Sequence, residues 1–69
     1  MTNTLKLEKA ISESGLKKNH LAKKLGISRY ALSLKINNEN SFKAEEMYTL
    51  IEAIGLDETK AKSIFFDVE

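Results

Sequence analysis

An all-α domain of five short helices is the fold that the sequence predicts, on three observations. Each of the three glycines precedes a bulky aliphatic, at Gly15-Leu16, Gly26-Ile27 and Gly55-Leu56. A left-handed glycine closes a helix and the next apolar residue packs back on its last turn, so these pairs read as helix ends. Between them, apolar residues recur at three- and four-residue spacing. Ser28 and Asp57, good helix-starting residues, follow directly on two of the glycine pairs.

The elements follow in order. Leu7 and Ile11, four apart, mark a first helix that Gly15 ends. Leu21, Ala22 and Leu25 mark a second, closed by Gly26. A third starts at Ser28, runs through Leu32 and Ile36, and stops near Asn37-Asn38, where Asn-Glu-Asn-Ser is turn-like. Met47, Leu50, Ile51 and Ile54 follow the i, i+3, i+4, i+7 rule for a fourth. The fifth begins at Asp57, with Glu58 favourable in its first turn, and turns Ala61, Ile64 and Phe65 inward. The closing Ile64-Phe65-Phe66-Asp67-Val68 also alternates well enough for a short strand, so helix and strand both stand there.

Composition narrows the function. Sixty-nine residues make one small domain, residues 1–69, with little room for a deep cleft. Without cysteine there is no disulfide, thiol nucleophile or thiolate metal site, and His20 is the one imidazole. No phosphate-binding glycine loop and no metal-ligand spacing is present, which argues against an enzyme, a metal or a cofactor. No apolar run approaches a membrane span, and the polar start does not resemble a signal peptide, so the expectation is a cytoplasmic protein. At 42% apolar and 30% charged, the chain is expected to fold around a core.

The net charge of +1 is a cancellation. Residues 17–43 carry Lys17, Lys18, Lys23, Lys24, Arg29, Lys35 and Lys43 against Glu39 alone, a net +6. Residues 44–69 carry Lys60 and Lys62 against Glu45, Glu46, Glu52, Asp57, Glu58, Asp67 and Glu69, a net −5. A basic middle and an acidic end fit a surface that faces a polyanion and a back that turns away from it. Two ordinary solvated helix faces would carry the same charges.

The informative segment is about 18–37. Two helices joined through Leu25-Gly26-Ile27-Ser28 must cross steeply. Ala22 supplies the small residue such a crossing needs, Gly26 the positive φ, and Leu21, Leu25, Ile27 and Leu32 the aliphatic corner, with Ile36 one turn on. On the third helix Arg29, Tyr30, Ser33, Leu34 and Asn37 fall within about 140° of arc, away from Leu32 and Ile36. That face carries no acid.

The run Gly15-Leu16-Lys17-Lys18-Asn19-His20-Leu21-Ala22-Lys23-Lys24-Leu25-Gly26-Ile27-Ser28, followed by Arg29-Tyr30-Ala31-Leu32-Ser33, resembles the Cro/repressor-type (XRE) helix–turn–helix family of DNA-binding proteins. The likeness is strongest to small Cro-like regulators of phages and prophages, and covers about residues 5–66. It implies a compact five-helix lambda-repressor-like domain with helix 3 in the major groove of double-stranded DNA, in the bacterial cytoplasm. Arg29, Tyr30, Ser33 and Leu34 would then meet bases: Arg29 can pair bidentately with guanine, and Leu34 can touch a thymine methyl. Lys17, Lys18, Asn19, Ser28, Asn37, Asn38, Asn40 and Lys43 would meet the DNA backbone. Tyr30 and Leu34 covering neighbouring helices or a dimer seam, and Lys17 and Lys18 as an ordinary exposed lysine pair, are the secondary readings. His20 reads as a surface residue first.

Two departures stand out. Lysines replace the usual Thr or Ser cap and the Gln after it at the start of helix 2. Lys35 stands where an aliphatic is usual, its stem expected to pack while its ammonium snorkels into water; a slight rotation of the last turn would serve as well. One recognition helix reads few base pairs, so a homodimer on an inverted-repeat operator is expected, with Ile64, Phe65, Phe66 and Val68 as its seam and no small-molecule ligand. The rival reading is a protein–protein module on the same fold, antirepressor- or antitoxin-like.

Overall fold

The computed structural model describes residues 1–66 and contains five helices: α1 Thr4–Ser14, α2 Lys18–Leu25, α3 Arg29–Ile36, α4 Ala44–Ile54 and α5 Glu58–Phe65. Among the described residues there is no strand. Ile64 and Phe65 lie in the last turn of α5, which decides between the two readings of that stretch as far as Phe66.

Side-chain oxygens begin three of the helices. Asn3 accepts from the Lys6 amide at 3.0 Å, Ser28 from Ala31 at 3.0 Å and Asp57 from Lys60 at 2.8 Å. Each satisfies a first-turn N–H that the helix itself cannot pair. At the end of α2, Gly26 takes φ +74°, and the Ile27 amide reaches back to the Ala22 carbonyl at 3.0 Å. This is the 6→1 closure of a left-handed helix end, and it folds Ile27 onto the core.

Every helix contributes to one apolar centre. Leu7, Ile11, Leu21, Ala22, Leu32, Ile36, Leu50, Ile64 and Phe65 are buried there, joined by Phe42 from the connection after α3. The Phe42 and Phe65 rings meet edge to face, centroids 5.6 Å apart and planes at 85°, a geometry aromatic quadrupoles favour. Leu25 and Ile27 are half-buried against the same centre.

That packing corrects the expected seam. Ile64 and Phe65 are only 3% and 2% exposed, consumed by the molecule's own core. Helical spacing explains it: Ala61, Ile64 and Phe65 recur at three and four residues, so one face of α5 turns them all inward. Phe66, one residue on, points out and is 61% exposed. Val68 lies outside the described residues.

Candidate nucleic-acid interface

The short Gly26–Ser28 connection sets α2 and α3 against each other, with Ala22 buried on α2 and Leu32 on α3. No acidic residue occurs between Glu13 and Glu39, so the outer surface of this pair is cationic and neutral only. Lys17, Lys23, Lys24 and Arg29 are exposed along it, and Lys43 is exposed beyond the α3–α4 connection.

The start of α3 stands clear of the core. Arg29 and Tyr30 are its first two residues, both exposed, Tyr30 at 73%. Nη1 of Arg29 lies 3.4 Å from Asn19 Oδ1 on α2, a long contact that links the opening turns of the two helices. The start of α2 carries no side-chain cap and no acid in its first turn; Lys17 occupies the N-cap position. Unpartnered amides at a helix start, with the positive end of its dipole, form a favourable place for an anion. Farther along α3, Ser33 and Leu34 are half-buried and Asn37 is exposed. Ser28, Asn40 and His20 are also exposed. The structure thus brings Arg29, Tyr30, Asn19, Ser28 and Lys17 to one surface, with Ser33 and Leu34 partly withdrawn.

Three polar residues behave differently from their sequence expectation. Lys18 Nζ lies 2.7 Å from Glu8 Oε1 on α1, so its charge is answered within the molecule. A cation in the first turn of α2 opposes the helix dipole, and a neighbouring carboxylate offsets that. Asn38, at φ +66°, has its side-chain amide taken up by Thr2: it accepts from the Thr2 N–H at 2.9 Å and donates to the Thr2 carbonyl at 2.7 Å. It fastens the start of the chain to the end of α3, where Thr4 Oγ1 also donates to the Ile36 carbonyl at 2.6 Å.

Lys35 does not snorkel. Its side chain is 12% exposed, and Nζ sits 2.9 Å from Glu46 Oε1 and 3.0 Å from the Ser41 carbonyl. No rotation of the last turn is needed, since the Asn37 amide still bonds the Ser33 carbonyl at 3.0 Å. The same Glu46 oxygen accepts from the Lys43 amide at 2.8 Å, capping α4. Burial pushes the Glu46 carboxyl toward its neutral form, but the Lys43 amide and the Lys35 ammonium outweigh it, leaving its pKa lowered. Glu46 was not visible as a site residue from sequence, though a signal existed: it sits one turn before Leu50, a negative charge in an apolar stripe, opposite Lys35 in another.

These pairings alter the charge pattern without reversing it. Lys18 and Lys35 leave the basic inventory, while Lys17, Lys23, Lys24, Arg29 and Lys43 remain at the surface with Glu39. Glu45, Glu52, Asp57 and Glu58 are exposed as well, Glu45 and Glu52 lining surface clefts with Lys24 where α2 meets α4.

A family model matches residues 4–68, nearly the whole chain. The chain belongs to DUF739, a family described as proteins of unknown function. No curated protein and no solved structure matches it. Among its described residues, no three His, Cys, Asp or Glu side chains gather as a metal site, and no helix is long and apolar enough to cross a membrane.

Proposed function

We propose that this DUF739 chain is a sequence-specific regulator of transcription that binds double-stranded DNA, of the Cro/repressor (XRE) helix–turn–helix kind found in phages and prophages. The observation that carries the reading is the exposed, acid-free start of α3, with Arg29 and Tyr30 beside the uncapped start of α2. With α3 in the major groove, Arg29 pairs with a guanine edge, Tyr30 meets a base or phosphate, and Ser33 and Leu34 follow one turn deeper. Lys17, Asn19, Ser28, Asn37, Asn40 and Lys43 contact the flanking phosphates, which position the helix without reading sequence. Lys18 and Asn38 drop to second rank because an ion pair with Glu8 and a pair of bonds with Thr2 hold them more tightly than the single contacts at Asn19 and Ser28.

The regulator acts as a homodimer on an inverted repeat in the bacterial cytoplasm, since one short helix reads too few base pairs alone. With Ile64 and Phe65 in the core, Phe66 and Val68 remain of the expected seam. Phe66 is 61% exposed, Leu5 and Met1 are 84% and 88% exposed, and the Asn3 amide on the Ile64 carbonyl joins the start of the chain to the end of α5. The same apolar end favours a second reading, a module that docks another protein.

Selection of bound sequences from random duplex DNA separates the two. A short enriched inverted repeat supports the regulator, and Arg29→Ala should then weaken binding to it by about 1–3 kcal/mol, mainly by relaxing one base position. No enrichment moves the reading to the protein module. Sedimentation that finds a monomer both free and on DNA removes the dimer.

A further inference from the structure

We propose that the Lys35–Glu46 pair is a positioning device that sets the α3–α4 connection, residues 37–43, for backbone contact beside the α3 helix. The inference rests on the DNA-binding reading above, and it adds a role for two residues that touch no DNA in that reading. Both charges are nearly buried, at 12% and 8% side-chain exposure. A lone ion pair there is weak evidence for stability, because desolvating two charges offsets most of their attraction. The contacts around it point to a use in geometry.

Lys35 projects from the last turn of α3, and its ammonium bridges two points of the chain: the Ser41 carbonyl within the connection and Glu46 on the first turn of α4. Glu46 closes the circuit by accepting from the Lys43 amide, the last residue before α4. One carboxylate oxygen therefore fixes both the lysine and the helix start. The Glu39 and Asn40 amides are tied to the Leu34 carbonyl at 2.8 and 3.3 Å, and Phe42 is buried in the core. What the pair adds is the placement of Ser41 and Lys43, and through them the direction in which Lys43 leaves the surface. An aliphatic at position 35 would fill the same space, release Ser41 and leave the Glu46 carboxylate that caps Lys43 without its counter-charge.

The consequence is a split between stability and recognition. The double variant Lys35→Met/Glu46→Gln keeps the volume of the lysine stem and an acceptor for the Lys43 amide, but removes both charges and the bridge to Ser41. Such replacements of a buried pair are often neutral for stability, so the variant should melt close to the wild type. Three readouts then test the proposal. NMR order parameters of the residue 41 and 43 amides should fall from the rigid level of about 0.85 toward the flexible level below about 0.6, with Leu21, Leu32 and Leu50 unchanged. Affinity for the duplex that the wild-type chain enriches should fall about tenfold or more, while affinity for unrelated duplex stays within about threefold. The slope of log affinity against log salt should shallow by about 0.9, one phosphate contact.

An enriched duplex bound equally by both chains overturns the positioning role and leaves the DNA-binding reading intact. Unchanged order parameters at residues 41 and 43 overturn it without any DNA. A wild-type chain that enriches no duplex overturns the reading beneath it, and the two failures are distinguished by which chain fails. Glu46→Gln alone, which leaves Lys35 charged and unanswered, should be the less stable of the two variants; the reverse order also overturns the geometry claimed here.

Discussion

At its N-terminal end α3 is anchored by a single side-chain cap, Ser28 on the Ala31 amide, and turns Arg29 and Tyr30 out to solvent. At its C-terminal end polar contacts from the start of the chain, the following connection and α4 converge on Ile36, Asn38 and Lys35. Both ends belong to one eight-residue helix, and Leu32 is fully buried between them. The contrast shows a division of labour within a very short element. Arg29 and Tyr30 keep most of their hydrogen-bonding capacity unspent, Arg29 giving one long contact to Asn19, and the opposite end holds the helix in place so that little would need ordering on binding.

The largest expected effect comes from the held end. Phe42→Ala removes the ring that packs edge to face on Phe65 and should cost about 3–5 kcal/mol in urea unfolding. In a domain this small the loss should show as one cooperative transition moved to lower denaturant, not as a separately melting connection. A cost below about 1 kcal/mol would mean that the connection is not part of the core, and the contrast between the two ends would fail with it.

Asn38 gives the next effect and allows its two jobs to be separated. Asn38→Gly keeps a backbone that accepts φ +66° but deletes the amide that holds Thr2, at about 1–2 kcal/mol. Asn38→Ala deletes the amide and adds roughly 1–2 kcal/mol for a side chain in the left-handed region. Arg29→Ala, at the other end, should leave stability within about 0.5 kcal/mol of the wild type. Thermal unfolding of the three variants therefore ranks the ends directly. Equal losses at positions 29 and 38 would erase the distinction.

How far this was legible in the sequence follows from where each signal lives. The glycine–aliphatic pairs, Ser28, Asp57 and the three-four spacing are local, and the helices they announce are present at Thr4–Ser14, Lys18–Leu25, Arg29–Ile36, Ala44–Ile54 and Glu58–Phe65. The exposed face of Arg29 and Tyr30 follows from the same periodicity. The holding contacts join positions far apart in the chain, as in Asn38 with Thr2, Phe42 with Phe65 and Lys35 with Glu46, and no local pattern announces them. Asn38 looked like a loop amide open to phosphate because its partner lies 36 residues away. Ile64 and Phe65 looked like a seam because a short apolar end carries no mark of which surface covers it.

Acid offers a smaller and more selective test of the held end. The lowered pKa of Glu46 means that the native state takes up its proton less readily than the unfolded chain, whose carboxyl stays near 4.5. The stabilisation is therefore complete above about 4.5 and is lost as pH falls through the lower native value. Urea unfolding followed from pH 6 downward should show a steeper loss for the wild type than for Lys35→Met/Glu46→Gln, the difference arising below about 4.5. Parallel curves would place the acid sensitivity elsewhere.

The smallest effect is expected where a lysine is paired at the surface. Lys18 and Glu8 meet at 2.7 Å with side chains 28% and 40% exposed, so water and salt screen them. Such a pair contributes about 0–1 kcal/mol, and Lys18→Ala should change stability by no more than that, with the difference shrinking at high salt. Its value lies in what it says about the free end of the interface. If Lys18 leaves Glu8 for a phosphate on binding, the variant's salt slope should fall by about 0.9 while its melting stays put. If Glu8 keeps it, the slope is unchanged, and the phosphate contact proposed for the start of α2 would fall to Lys17 and the helix amides alone. Lys35 differs in both respects, because its side chain is only 12% exposed and its partner caps a helix start. Two lysines with the same nominal ion pair thus differ in what loss of the ammonium alone leaves behind, a solvated carboxylate at Glu8 and a largely buried one at Glu46.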